Sequence, residues 1–198
     1  IAALANDIDI ARMTKRMPHP FRMKDAEDFV LQVAAQDPRR ANTFVIEHED
    51  QGPVGVIGVY EGDDHVPETG YWIGREFWGR GFATEALEGA LVWAGKRWKR
   101  RALVAGHFSD NPASGRVLEK AGFLYTGETR TAFSRARGEN ADGDGQKALD
   151  VIADAAFLAA LPGGGGVCVD PGAVVAGLAE RDRRAVVAAT TLWTSNLA

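Results

Sequence analysis

Gly70-Tyr71-Trp72-Ile73-Gly74-Arg75-Glu76-Phe77-Trp78-Gly79-Arg80-Gly81-Phe82-Ala83-Thr84-Glu85-Ala86-Leu87 is the stretch on which the rest of the chain turns. Aromatic and β-branched residues over Thr69–Ile73 predict a strand. From Phe82 to Trp98, Ala83, Ala86, Leu87, Ala90, Leu91 and Ala94 recur on one face, which predicts a helix. Between them lies a turn containing Gly79 and Gly81. A strand that turns directly into a helix aims successive backbone N–H groups into one hollow at the positive end of the helix dipole. That arrangement suits an anion such as a diphosphate. Glycines let the backbone approach a ligand without Cβ obstruction, and Arg80 adds a charge. Two familiar phosphate loops do not fit. There is no Gly-Lys-Ser/Thr ending, and the third glycine of a dinucleotide fingerprint is replaced by Thr84. Taken alone, the turn reads more readily as a strand-to-helix junction whose glycines serve packing.

Working outward, Ala102–Phe108 predicts the next strand. Ser109-Asp110-Asn111-Pro112-Ala113-Ser114-Gly115-Arg116-Val117-Leu118-Glu119-Lys120-Ala121-Gly122-Phe123 then predicts a short helix over Pro112–Ala121. Asn111 can cap it, Pro112 suits its first turn and Gly122 closes it. Upstream, a short helix within Ile1–Met17 ends at Pro18, and a second spans Asp25–Ala35. Thr43–His48 and Val54–Tyr60 form a hairpin about Gln51-Gly52-Pro53. Short strands begin at Phe123–Tyr125 and lie within Thr129–Ser134. Beyond Arg135, a helix over Ala148–Leu161, a flexible link over Pro162–Gly166 and a last helix over Ala173–Leu192 are expected. Alternating strands and helices in the middle of the chain imply a mixed α/β sheet.

Composition narrows the partners. With 45% hydrophobic and 25% charged residues, the chain has ordinary globular make-up. A formal charge of -4 gives nucleic acid no electrostatic footing. The single cysteine, Cys168, excludes an internal disulfide and a multi-cysteine metal site, so a reducing, cytoplasmic setting is expected. His19, His48, His65 and His107 lack ligand spacing, and no metal is expected. No stretch of about 18 apolar residues would span a membrane, and no signal peptide is visible.

The two loop-helix segments together resemble the GNAT superfamily of acetyl-CoA-dependent N-acetyltransferases, and within it the RimJ/RimL-like ribosomal-protein N-terminal acetyltransferases. The residues that carry this are Gly70-Tyr71-Trp72-Ile73, Trp78-Gly79-Arg80-Gly81-Phe82-Ala83-Thr84-Glu85-Ala86, and Asn111-Pro112-Ala113-Ser114 through Glu119-Lys120-Ala121-Gly122-Phe123. The resemblance covers about Asp7 to Ser134. It implies a GNAT fold, α/β (α+β), with a mixed, mostly antiparallel central sheet flanked by helices. In it the family's fourth strand, around Tyr71–Ile73, splays from its fifth, around Ala102–Phe108. It implies that the N–H groups of Trp78, Gly79, Arg80, Gly81, Phe82, Ala83 and Thr84 hold the CoA diphosphate. The pantetheine would lie between the splayed strands, along backbone near Ile73 and beside Asn111. Ser114 would sit near the thioester sulfur, and Arg116 and Lys120 could reach the 3′-phosphate. Glu68 stands where the family often carries a carboxylate, so the base is Glu68 or a water. A second glutamate of some relatives would fall near Phe133, which is no carboxylate.

The implied activity is transfer of acetyl from acetyl-CoA to a primary amine, on a protein N-terminus or a small molecule. The alternative is a non-catalytic acyl-CoA-binding module. Homodimers are common among relatives. Two departures stand out. The family's opening strand pattern is not found, so the first strand is expected to be missing from an acetyltransferase domain over 1–138. Residues 139–198 do not match the family's short ending and form an atypical extension.

Overall fold

The computed structural model describes residues 1–62, 66–125, 131–132, 134–137, 151–152 and 157–160. Three helices come first: α1 (Ala2–Ala5), α2 (Ile8–Ala11) and α3 (Met23–Ala34). The hairpin β1 (Ala41–His48) and β2 (Gly52–Glu61) leads into β3 (Pro67–Ile73), a 3₁₀ turn over Arg75–Phe77 and the long α4 (Phe82–Lys96). Then come β4 (Ala102–Ala105), α5 (Pro112–Lys120) and β5 (Leu124–Tyr125). The short β6 (Thr131–Ala132), β7 (Val151–Ile152) and β8 (Phe157–Ala160) follow.

One mixed sheet runs β1-β2-β3-β4-β8-β5, and β6 pairs with β7 separately. Every pairing in the main sheet is antiparallel except β3 with β4. The expected mixed, mostly antiparallel fold is what forms. Alternation along β2 and β3 divides the two faces. Ile57, Val59, Tyr71 and Ile73 pack with Phe44, Leu87, Ala90, Leu103 and Leu118 in the larger core, which α4 and α5 cover. Trp72 points the other way and packs with Ala5, Phe21 and Ala26 beneath the N-terminal helices.

Several boundaries differ from the sequence reading. The single helix expected within Ile1–Met17 is two one-turn helices, because Asp7 caps a new start by accepting from the Asp9 N–H at 2.7 Å. The preceding Asn6 is drawn away to accept from the Phe21 N–H at 2.9 Å. The strand expected to reach Phe108 stops at Ala105, where its neighbour diverges. Within the helix expected over Ala148–Leu161, the described residues are not helical. Val151–Ile152 and Phe157–Ala160 are strands, and β8 fills the space between β4 and β5. Two short strands with open edges demand backbone partners more strongly than an alanine-rich segment prefers helix. The sheet therefore takes a strand from within 139–198. The expected link at Pro162–Gly166, the helix at Ala173–Leu192 and Cys168 lie outside the described residues. Among the described residues, no helix is long and apolar enough to cross a membrane.

Two glycines on β2 test this packing. A Cβ on Gly55 would stand 2.3 Å from the Trp72 carbonyl oxygen, a backbone atom that cannot yield. A Cβ on Gly58 would meet nothing nearer than 3.8 Å. Gly55→Ala should lower stability by about 3 kcal/mol, while Gly58→Ala should cost under about 1 kcal/mol. Urea unfolding of the two variants gives the comparison.

Candidate active site

β3 and β4 run parallel but share a single register pair, Glu68 with Val104. Past that point the strands have no ladder between them, and Gly106, His107 and Phe108 leave the sheet to line a cavity of about 1260 Å³. The same cavity reaches Trp78, Gly79, Gly81, Phe82, Ala83 and Thr84 at the mouth of α4. It continues past Ile73, Asn111 and Ser114 to Glu68.

The turn is built for backbone approach. Gly79 and Gly81 both have left-handed backbone, with φ of 73° and 90°. A Cβ on either would touch nothing within 4 Å, so conformation rather than space requires glycine there. The Glu85 N–H closes the first helical bond, to Gly81 O at 3.1 Å. The Trp78 N–H, expected among the diphosphate donors, is instead spent on the Arg75 carbonyl at 3.2 Å, where it closes the 3₁₀ turn. Within the described residues the amides from Gly79 to Thr84 meet no protein acceptor. Gly79, Gly81, Phe82, Ala83 and Thr84 of this run line the cavity at the positive end of the α4 dipole. Trp78 fastens the turn back to its strand, its indole N–H donating to the Ile73 carbonyl at 2.7 Å. That bond takes up the Ile73 oxygen. Arg80 lies elsewhere than its charge suggests. Its guanidinium donates to Gln51 Oε1 at 3.1 Å and sits 4.9 Å over the Phe82 ring, and it does not line the cavity.

On the next wall, Asn111 caps α5: its Oδ1 accepts from the Ser114 N–H at 3.2 Å. This fixes the first turn of α5 and with it the Ser114 side chain. Gly115 lies so close to the His107 ring that a Cβ would stand 2.8 Å from Nε2, so α5 rests directly on the end of β4. His107 Nδ1 is 2.8 Å from the Phe108 carbonyl, which can only accept, so Nδ1 carries the proton. Arg116 and Lys120 follow along the same wall.

Glu68 and Ser114 belong to opposite faces of the sheet. Glu68, Gly70 and Trp72 point toward the N-terminal helices, in register with Tyr60, Gly58 and Val56 of β2. Tyr60 stands directly opposite Glu68 in the β2–β3 register. Burial first, and the Glu68 charge second, hold its phenol above the ordinary tyrosine range. Tyr71 points to the α5 side, its hydroxyl 3.0 Å from Ser114 Oγ. Burial pushes its phenol up to about 12, against a smaller opposing effect of the Ser114 bond. The geometry thus brings the sequence-selected residues around one cavity, apart from the Arg80 side chain. It adds two that sequence reading left out, Tyr60 and Tyr71. Tyr60 is legible from hairpin register; nothing local reports the Tyr71 contact. Phe133 lies outside the described residues. Among the described residues no group of three or more His, Cys, Asp or Glu side chains is placed to hold a metal ion.

Solved structures share this fold at low identity. One is the spermidine N-acetyltransferase from Vibrio cholerae in complex with CoA and spermine, with 16% identity, TM-score 0.62, and 81% of this chain and 87% of that chain covered. Another is the microcin C7 self-immunity acetyltransferase MccE in complex with acetyl-CoA and AMP, with 18% identity, TM-score 0.63, and coverage of 81% and 84%. A third is the ribosomal alpha-N-protein acetyltransferase RimL in complex with coenzyme A, with 17% identity, TM-score 0.63, and coverage of 82% and 87%. No curated protein matches the sequence. Residues 1–124 match the family model described as the acetyltransferase (GNAT) domain, and the chain belongs to that family.

Proposed function

We propose that this acetyltransferase moves an acetyl group from acetyl-CoA to a primary amine by direct attack within a ternary complex. The observation that carries the reading is the continuous hollow from the α4 amides into the opening between β3 and β4, with Ser114 on one side of the sheet and Glu68 on the other. The amides of Gly79–Thr84 would hold the diphosphate, and the Trp78 indole keeps that turn against β3. Asn111 and the backbone near Ile73 would line the pantetheine, while Arg116 and Lys120 stand where the 3′-phosphate could be met. Acetyl-CoA supplies the activated acyl group.

The chain's own residues supply the rest. An amine attacks only when neutral, and in this reading Glu68 or a water takes its proton. Ser114 donates to the leaving sulfur. Holding both reactants along one channel removes entropy from the barrier, worth up to about 7–11 kcal/mol. No covalent enzyme intermediate is needed. The acceptor is a protein N-terminus, as the RimJ/RimL-like motif resemblance suggests, or a small-molecule amine. The acetyltransferase unit is taken as 1–138, completed by β8 from the extension, acting in the cytoplasm.

Titration calorimetry with acetyl-CoA and a thiol-release assay over an amine panel test the reading. Turnover should accompany binding, and Glu68→Gln should lower kcat about 100-fold with acetyl-CoA affinity unchanged. Tight CoA binding with no turnover on any amine would favour the binding-module alternative. Gly81→Ala forces a side chain into left-handed backbone at about 1–2 kcal/mol. It should weaken CoA binding about tenfold, without the loss of fold that Gly55→Ala brings.

A further inference from the structure

The roles assigned above leave Tyr71 unused, although it lines the cavity and touches the one hydroxyl given a part in the chemistry. Tyr71 rises from β3 on the face opposite Glu68 and packs against the larger core. Its hydroxyl meets Ser114 twice, at 3.0 Å from Oγ and 3.4 Å from the carbonyl oxygen. The Ser114 N–H is engaged by Asn111 Oδ1 at 3.2 Å. The serine backbone is therefore held from below by the cap and its side chain from the strand by the phenol.

We infer that Tyr71 is a positioning residue for acetyl transfer: its O–H donates to Ser114 Oγ and so turns the serine proton toward the leaving sulfur. This rests on the acetyl-transfer reading. Either oxygen can be the donor in the 3.0 Å contact, and the inference assigns that part to Tyr71. Tyr71 has one proton and two acceptors, and Oγ is the nearer. A hydroxyl that accepts from Tyr71 keeps its own proton for the cavity. The reverse direction would spend the Ser114 proton on the phenol and present only lone pairs to an anionic sulfur. Burial keeps Tyr71 a neutral phenol, with a proton to give. As charge gathers on sulfur, the chain from Tyr71 through Ser114 strengthens along its length, since each hydrogen bond polarises the next.

The step balances. The amine nitrogen bonds to the carbonyl carbon, and the carbon–sulfur bond breaks with its electron pair left on sulfur. The amine proton passes to Glu68 or its water on the far face. The thiolate is held by Ser114 until it takes a proton from solvent.

The test uses Tyr71→Phe, which keeps the ring and removes only the hydroxyl, beside Ser114→Ala and the double variant. Three quantities are measured: CoA affinity, kcat on an accepted amine, and the ionisation of the bound CoA thiol, followed by ultraviolet absorbance of the thiolate against pH. Tyr71→Phe should lower kcat about tenfold with CoA affinity within about twofold. It should raise the bound-thiol pKa by about one pH unit. In the Ser114→Ala background it should change neither further, because the route runs through Ser114. Wild-type values in Tyr71→Phe, or losses that multiply with those of Ser114→Ala, would overturn the inference and leave acetyl transfer standing. Binding of CoA without turnover in the unaltered protein would remove acetyl transfer, and the thiol ionisation would then decide the Tyr71 role alone. A chain that binds no CoA would end both.

Discussion

The pairing of Glu68 with Val104 is the last point at which β3 and β4 hold each other, and the site exists because the ladder ends there. A sheet interior normally closes every backbone edge, since a buried N–H or C=O without a partner is costly. Here the two strands part toward their C-terminal ends, and the chain spends its polar groups differently on each side. Trp78 returns an indole N–H to the Ile73 carbonyl at 2.7 Å, so part of the exposed edge is closed by a side chain. β4 is relieved on its other edge by β8, which supplies the antiparallel partner that β3 withholds. An opening in the middle of a sheet is thus kept open without leaving either strand unsupported.

Face alternation then sorts the chemistry. Residues two apart on β3 share a face, so Glu68 and Trp72 belong with the N-terminal helices, and Tyr71 and Ile73 belong with α4 and α5. A carboxylate able to take a proton and a hydroxyl able to give one are separated by the thickness of the sheet, yet both border the same cavity. Gly70, which has no side chain, lies between them on the Glu68 face with the Tyr60 hydroxyl 3.7 Å from its Cβ direction. A side chain there would narrow the passage between the two faces.

How much of this the sequence carries depends on the range of the interaction that decides each part. The turn at Gly79 and Gly81, the α4 stripe and the Asn111 cap are decided within a few residues, and each is legible as a pattern. The splayed strands come only through family resemblance. β8 is not legible at all: Ala148–Leu161 favours helix locally, and the strand at Phe157–Ala160 forms because β4 and β5, more than thirty residues upstream, offer it two edges. Arg80 misleads for a related reason. Its place in a glycine turn suggests a ligand contact, but Phe77, Phe82 and Gln51 offer its guanidinium a site within the protein. The Tyr71–Ser114 contact joins residues 43 apart in sequence, with all of α4 between them. Only the packing of α5 against the larger core brings them together.

The two halves of the site must also keep a fixed distance, because proximity counts only if donor and acceptor walls move together. Arg75, in the 3₁₀ turn between β3 and the glycine turn, connects them. It is hydrogen-bonded to Asp9, lies 3.6 Å from Asp7, and stacks 5.7 Å from the Trp78 ring. Asp7 and Asp9 open α2, the helix that leads to Met13, Lys15 and Met17, which line the cavity. Exposed ion pairs of this kind stabilise a fold little. The consequence of this one is geometric: the segment that carries these cavity-lining residues is tied to the glycine turn. A second tie lies beneath it, where Leu4 of α1 packs so near Gly74 that a Cβ there would stand 3.0 Å from its Cδ2. The N-terminal helices are thus held to the glycine turn at Gly74 and Arg75, so the two ends of the cavity keep a common frame.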